Sequence, residues 1–274
     1  MSNVTKPFNK MILPEIVGPT VLSFPTANVK LRGTRTATFS LPAGYTCPGA
    51  CDCLAWVDRV TKKLVDGPDA KFRCYAASQE AAYPNVQAAV DKNLAVLKNA
   101  KTTSAMTEVI DMSLPSRYYH NIRIHADGDY FNQSYFLAWI QVAVNNPQRT
   151  FYGYTKSIPF WVKYKACLPS NFILTASRGG TWDNLIEPNN LRCSYVVMHP
   201  DEADDMGLEI DHNDSHARDP EGGDFALLIH GMGAAGSEQN AATKRMRAEG
   251  VKYAYGKASE ERRQKDLKSK QKVS

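Results

Sequence analysis

Three of the chain's six cysteines, Cys47, Cys51 and Cys53, fall inside seven positions of TCPGACDC, and Cys74 follows in KFRCYAASQE. Thiolates are soft ligands that suit zinc or an iron–sulfur cluster. Pro48 and Gly49 let the backbone fold sharply, so several thiols can turn toward one point. Structural zinc sites pair their cysteines at intervals of two to four residues. A tight triplet and a distant fourth depart from that pattern, whereas a cluster spreads its ligands over separate irons and tolerates uneven spacing. The reading is a 4Fe-4S cluster on Cys47, Cys51, Cys53 and Cys74, with zinc, or no metal at all, as the alternatives. Cys167 in YKACLPSN and Cys193 in LRCSYVV read as small buried hydrophobes.

A second group of polar residues stands where short apolar runs end. IRIHADGD offers His125, Asp127 and Asp129 for acid–base work, provided burial or mutual repulsion separates the two carboxyl pKa values. The competing reading is a turn, for which Asp-Gly is an ordinary dipeptide. Lys156 closes the next run, and Arg178 stands before Gly179 and Gly180, where a guanidinium and backbone amides together could hold an anion. His199 and His230 end two further runs. EIDHNDSHA sets His212 and His216 four apart around Asp214, a spacing that on a helix would present a divalent-metal site. Asn213, Asp214 and Ser215 favour a hydrogen-bonded loop instead. No phosphate-binding Walker loop, dinucleotide glycine triplet or serine elbow is present.

The elements that must carry these residues alternate in character. Runs at 121–129, 149–157, 171–180, 192–200 and 224–231 are β-branched or aromatic and end in polar residues, with amphipathic stretches between them. That alternation predicts parallel strands with helical crossovers. The fold expected is α/β, a partial or complete (β/α) barrel with an irregular N-terminal cysteine-loop and hairpin region; an open doubly wound sheet is the alternative. In such folds ligands meet the carboxyl ends of the strands. VLSFPT and TATFSLPAG are further strand candidates, the second running into the cysteine loop. WVDRVTKKLVDGPDAKFRC predicts a hairpin turning at Asp66-Gly67-Pro68 and returning Cys74 toward Cys47. SQEAAYPNVQAAVDKNLAVLKNA predicts a helix with Val86, Val90, Leu94 and Leu97 on one face. NQSYFLAWIQVAVNNP predicts another, presenting Phe136, Leu137, Ile140 and Val144.

With 274 residues, 43% hydrophobic and 22% charged, the chain is long enough for one large core. Residues 1–250 are expected to form a single α/β domain with the cluster-binding loop at 46–75, and residues 251–274 a basic, flexible tail. That tail supplies most of the net charge of +5. It is the only part that predicts contact with nucleic acid, since no basic stripe interleaved with aromatics occurs elsewhere. No run is long and apolar enough for a membrane helix, and the N-terminus has no secretory pattern, which predicts a reducing compartment where disulfides are rare.

TCPGA, DGP, FRCYAASQE, YPNV, IRIHADGDYFNQSYFLAW, FYGYTKSIPFW, NFILTASRGG, GLEIDHNDSHA and FALLIHG, in that order across about residues 35–240, resemble the gene product 88 family of tailed bacteriophages. The resemblance implies a phage protein made in the cytoplasm of the infected bacterium, with virion association still open. Within it, the likeness rests on Cys47, Cys53 and Cys74, while Cys51 either completes a four-cysteine set or is incidental, leaving one iron open to another ligand. The layout of a cysteine loop after an early strand, then β/α units, is also similar to the radical S-adenosylmethionine enzymes. In those, three cysteines hold a four-iron cluster within a partial barrel. Their cysteines are separated by three and then two residues; here the intervals are three and one. HADGD stands where their glycine-glycine-glutamate would be, and both departures weigh against S-adenosylmethionine as the cofactor.

Two functions follow as expectations. One is redox or radical chemistry on a small ligand, with His125, Asp127, Asp129, Lys156 and Arg178 lining a pocket beneath the cluster. The other is non-enzymatic, a structural iron–sulfur or zinc site in a protein that binds a host or virion partner. Zinc-dependent hydrolysis through His212, Asp214 and His216 is a third.

Overall fold

All five strand-forming runs after residue 120 pair in parallel, and TATFSLPAG adds a sixth strand at their edge. The computed structural model describes residues 7, 11, 13–16 and 20–253. The strands of the main sheet are β1 (Thr36–Thr38), β4 (Asn121–Ile124), β5 (Thr150–Thr155), β6 (Phe172–Ser177), β7 (Cys193–Val197) and β8 (Phe225–Leu228). A separate antiparallel hairpin, β2 (Ala55–Val57) and β3 (Leu64–Asp66), interrupts the first crossover. Helices α1 (Tyr75–Ala82), α2 (Pro84–Ala100) and α3 (Thr103–Ser113) complete that crossover. They are followed by α4 (Gln133–Asn145), α5 (Ile158–Tyr164), α6 (Pro200–Asp205), α7 (Ser215–Arg218) and α8 (Glu238–Glu249).

The sheet order is β1-β4-β5-β6-β7-β8, the order of the chain, and the sheet curls into a half-barrel. Two expectations are thereby corrected. A doubly wound sheet needs a reversal of strand order, and none occurs. A complete barrel needs its first and last strands to pair; β1 and β8 do not, and among the described residues a single bridge, from Ile210 to Ala226, lies beyond β8.

Period-two alternation sorts each strand's side chains. Ile122, Ile124, Phe151, Phe172, Leu174 and Ala176 turn outward into the main core, where Phe136, Trp139 and Ala143 of α4 and Leu94 and Leu97 of α2 meet them. Arg123, Tyr152, Tyr154 and Thr175 take the alternate, inner positions, and α7 lies against β5 and β6 there. The inner face therefore combines polar groups with a small apolar cluster of Tyr152, Phe225 and Ala217, the last contributed by the chain's own 209–219 segment.

Four local expectations change. VLSFPT forms no strand. The long helix breaks at Pro84, because a residue before proline is driven out of the helical region: Tyr83 is extended, at φ −128° and ψ 98°. In α4, Val144 is 51% exposed while Trp139 and Ala143 take the core positions. The hairpin turns at residues 58–63, where the Asp58 carboxylate accepts from Val60 N and Thr61 N at 2.9 and 2.7 Å. Asp66-Gly67-Pro68 instead forms the exit from β3, with Gly67 N donating to Leu54 O. Of the basic tail, residues 254–274 lie outside the described residues.

Candidate functional site

Residues 46–54 lie across the carboxyl ends of β4, β5 and β6. Asp52 N donates to Gly179 O at 3.0 Å, Thr181 N donates to Gly49 O at 2.9 Å, and Ala50 bridges Gly180. The contact is close enough to require glycine: a Cβ on Gly49 would stand 2.2 Å from Lys156 O. On the β4 side Leu41 N donates to Asp127 O at 2.9 Å, and Gly128, at φ +81°, leaves room for the Thr46 hydroxyl.

This docking groups three thiols. Burial pushes the Cys47 thiol well up, and Asp129, Cys74 and Cys53 add to the shift in that order. Burial likewise raises Cys53, with Lys156 opposing and Asp129 adding. Cys74 is pushed up to about 12 by burial and then by Cys53, while the amides of Ala77 and Ala76 at the start of α1 oppose. Each thiol is thus protonated alone at neutral pH; Cys47 senses both Cys74 and Cys53, and Cys74 senses Cys53. Cys51 lies within electrostatic reach of Lys71, which pairs with Asp52 at 3.0 Å. Among the described residues no group of three or more His, Cys, Asp or Glu side chains is arranged to hold a metal ion. Cysteine thiolates are donors that an iron–sulfur cluster and a zinc ion both accept.

The polar strand ends are used differently from expectation. Asp129 is buried, accepting from Tyr130 N and Thr155 Oγ1 at 2.7 Å on one oxygen and from Lys156 N at 2.8 Å on the other. Lys156 donates its ammonium to Ser177 O at 2.7 Å, Ser177 Oγ at 2.8 Å and Arg178 O. Both stand beside the thiols, yet as supports that join the ends of β4, β5 and β6. Asp127 is pushed up by burial, against a hydrogen bond from Ser40 and the charge of Arg123, and lies close to Cys74 and Tyr75.

His125 leaves the group. At φ +60° it turns its ring into the aromatic core, where Nε2 meets Tyr135 Oη at 2.9 Å and Nδ1 has no partner. Burial pulls its pKa down to about 3, so it is neutral. Arg178 pairs with Glu187, stacks over Tyr195 and donates to Cys193 Sγ at 3.4 Å. The anion nest expected at Gly179-Gly180 is real but filled, since both amides donate to the Asp183 carboxylate at 2.8 and 3.0 Å.

EIDHNDSHA adopts the loop reading. His216 pairs with Glu209 at 2.8 Å, and Asp211 accepts from Asn213 N and Ser215 N. Asp214 turns inward, while His212 is exposed before a four-residue helix. The three predicted zinc ligands therefore do not converge. Sequence reasoning missed what Asp214 does: its carboxylate meets Lys30 Nζ at 2.7 Å, Arg123 Nη1 at 3.0 Å, Tyr152 Oη at 3.1 Å and Tyr154 Oη at 3.4 Å. Burial opposes its charge, but Arg123 and Lys30 outweigh it and hold the pKa to about 2. The alternation of NIRI, with Arg123 between isoleucines, was the available signal that an arginine faces inward.

Comparison with known proteins gives a consistent picture. The family model described as Gene product 88 matches residues 18–249. The Gene 88 protein of Mycobacterium phage L5 is 27% identical over 132 residues, a stretch that covers 43% of this chain and 47% of that protein. No solved structure matches. No helix among the described residues is long and apolar enough to cross a membrane.

Proposed function

Because the chain belongs to the gene product 88 family of phage proteins, we propose that it is a phage iron–sulfur protein. Cys47, Cys53 and Cys74 hold a 4Fe-4S cluster at the rim of the half-barrel, and Cys51 stays outside the ligand set. The observation that carries the proposal is the grouping of the three thiols over the carboxyl ends of β4–β6, where Cys74 and Cys53 raise the Cys47 pKa and Cys53 raises that of Cys74. Three protonated thiols crowded beside two carboxylates gain nothing from one another; binding iron makes them thiolates and turns that crowding into ligation. The order of six parallel strands with the thiol loop after the first supports a radical-enzyme-like layout. When bound, the cluster would supply one-electron redox chemistry. Asp129 and Lys156 would hold the loop, and the α1 amides would favour the Cys74 thiolate.

A structural role is the second reading. Cys53 and Cys74 flank the β2–β3 hairpin, whose own clusters are small: Ala43, Ala55, Ala76 and Ala77 in one, Tyr45, Ala50, Leu54 and Trp56 in the other. A cluster would pin that excursion, leaving the protein to bind a host or virion partner.

Anaerobic purification with iron and sulfide analysis tests the proposal, with about four of each per chain expected. Cys47→Ser, Cys53→Ser and Cys74→Ser should each remove the colour, and Cys51→Ser should keep it. A colourless protein carrying stoichiometric zinc overturns it. Reduction of the bound cluster by dithionite separates the redox role from the structural one.

A further inference from the structure

Cys74 is held from a distance. Its neighbour Arg73 donates its backbone N–H to Gln239 Oε1 at 2.9 Å, and Gln239 Nε2 donates back to Arg73 O at 3.4 Å and to His230 O at 3.2 Å. Gln239 is wholly buried, 166 positions from Arg73 along the chain, in the first turn of a helix that is otherwise mostly exposed. On the other side of Cys74, the Tyr75 ring stands 4.7 Å from the His230 ring, and Gly231, at φ +85°, lets the backbone pass the Tyr75 Cβ. The Tyr75 hydroxyl donates to Ala126 O at 2.5 Å. Residues 71 and 72 are tied to the cysteine loop, both amides donating to Asp52 O. Without a side-chain cap of its own, the α1 start takes its position from these contacts.

We propose that Gln239 and His230 are positioning residues of the thiol site, a clamp from the C-terminal part of the chain that fixes Cys74 against Cys53 and Cys47. A buried amide side chain that grips both the N–H and the C=O of one residue acts like a strand neighbour, and it lowers the local opening of that backbone. The proposal rests on the reading of Cys74 as a site thiol. It does not depend on which metal, if any, the thiols take.

The test uses the full chain, reduced and metal-free, with iodoacetamide alkylation of each cysteine followed by peptide mass spectrometry. Gln239→Leu removes the grip, His230→Ala removes the ring contact, and His230→Phe keeps a ring there. Losing the clamp should speed alkylation of Cys74 about tenfold or more in the first two variants, through local opening. Cys74 in His230→Phe, and Cys47 throughout, should stay within about threefold of the parent. An unchanged Cys74 rate, or equal acceleration at Cys47 and Cys74, overturns the proposal, the second because it marks general loosening. If Gln239→Leu does not fold, the two His230 variants decide by the same criterion. Failure of iron loading leaves these rates untouched, so the two proposals fail separately.

Discussion

Asp214 joins four elements through one carboxylate, and its neighbours decide its chemistry. Two cations and two phenols surround a fully buried group, so the negative charge is compensated without water. Removing one partner of such a network strands the other charges in a low-dielectric interior. Asp214→Ala is therefore expected to cost about 3–5 kcal/mol in urea unfolding. A cost below about 1 kcal/mol would mean that Arg123 and Lys30 find water instead. Asp183 shows the same economy on a smaller scale, filling with its own carboxylate the glycine amides that otherwise invite a foreign anion. Arg178 likewise has Glu187 already, so its exposed appearance in the sequence does not translate into a vacant cation.

The cysteine loop owes its place to backbone-to-backbone contact with the ends of β5 and β6, and glycine makes that contact possible. A methyl group on Gly49 would overlap Lys156 O, an atom of the backbone that cannot swing aside. Gly49→Ala is expected to destabilise the protein by about 1–3 kcal/mol and to expose Cys47 and Cys53 together to alkylation. Gly223→Ala, which meets nothing within 4 Å, is the control and should leave both unchanged. Equal behaviour of the two variants would show that the loop is not seated on the strand ends. The hairpin gives a parallel case: the Asp58 carboxylate caps its turn, whereas the Asp-Gly-Pro sequence that most resembles a turn only steers the chain out of β3.

Stability of the whole molecule in acid should carry the mark of His125. Its folded pKa of about 3 lies below the ordinary value of 6.5, so its share of stability is complete above pH 6.5 and drains away as pH falls toward 3. The Asp214 share, also from a depressed pKa, is lost only on falling through about 2. Glu80 acts in the opposite sense: burial raises it to about 7 despite Arg59, so its share is present in acid and lost as pH rises through that value. A difference measurement isolates the histidine. His125→Asn suits the positive φ and does not titrate, and between pH 6 and 4 the parent should lose about 1.4 kcal/mol more per pH unit than the variant. Parallel profiles would show that His125 accepts a proton in the folded state.

Local pattern alone determined a good deal of this protein. The five later strands and the α4 helix are legible, because periodicity and turn chemistry act over a few residues. Tertiary structure decided which polar groups are spent. His125, Lys156, Arg178 and Asp214 look equally available in the sequence, yet each is taken by a partner from elsewhere in the fold. It also brought Cys53 within electrostatic reach of Cys74 across a hairpin. A side chain's type sets what it can bind; only the path of the backbone sets what it meets first, and here much of that path is fixed by contacts from distant parts of the chain.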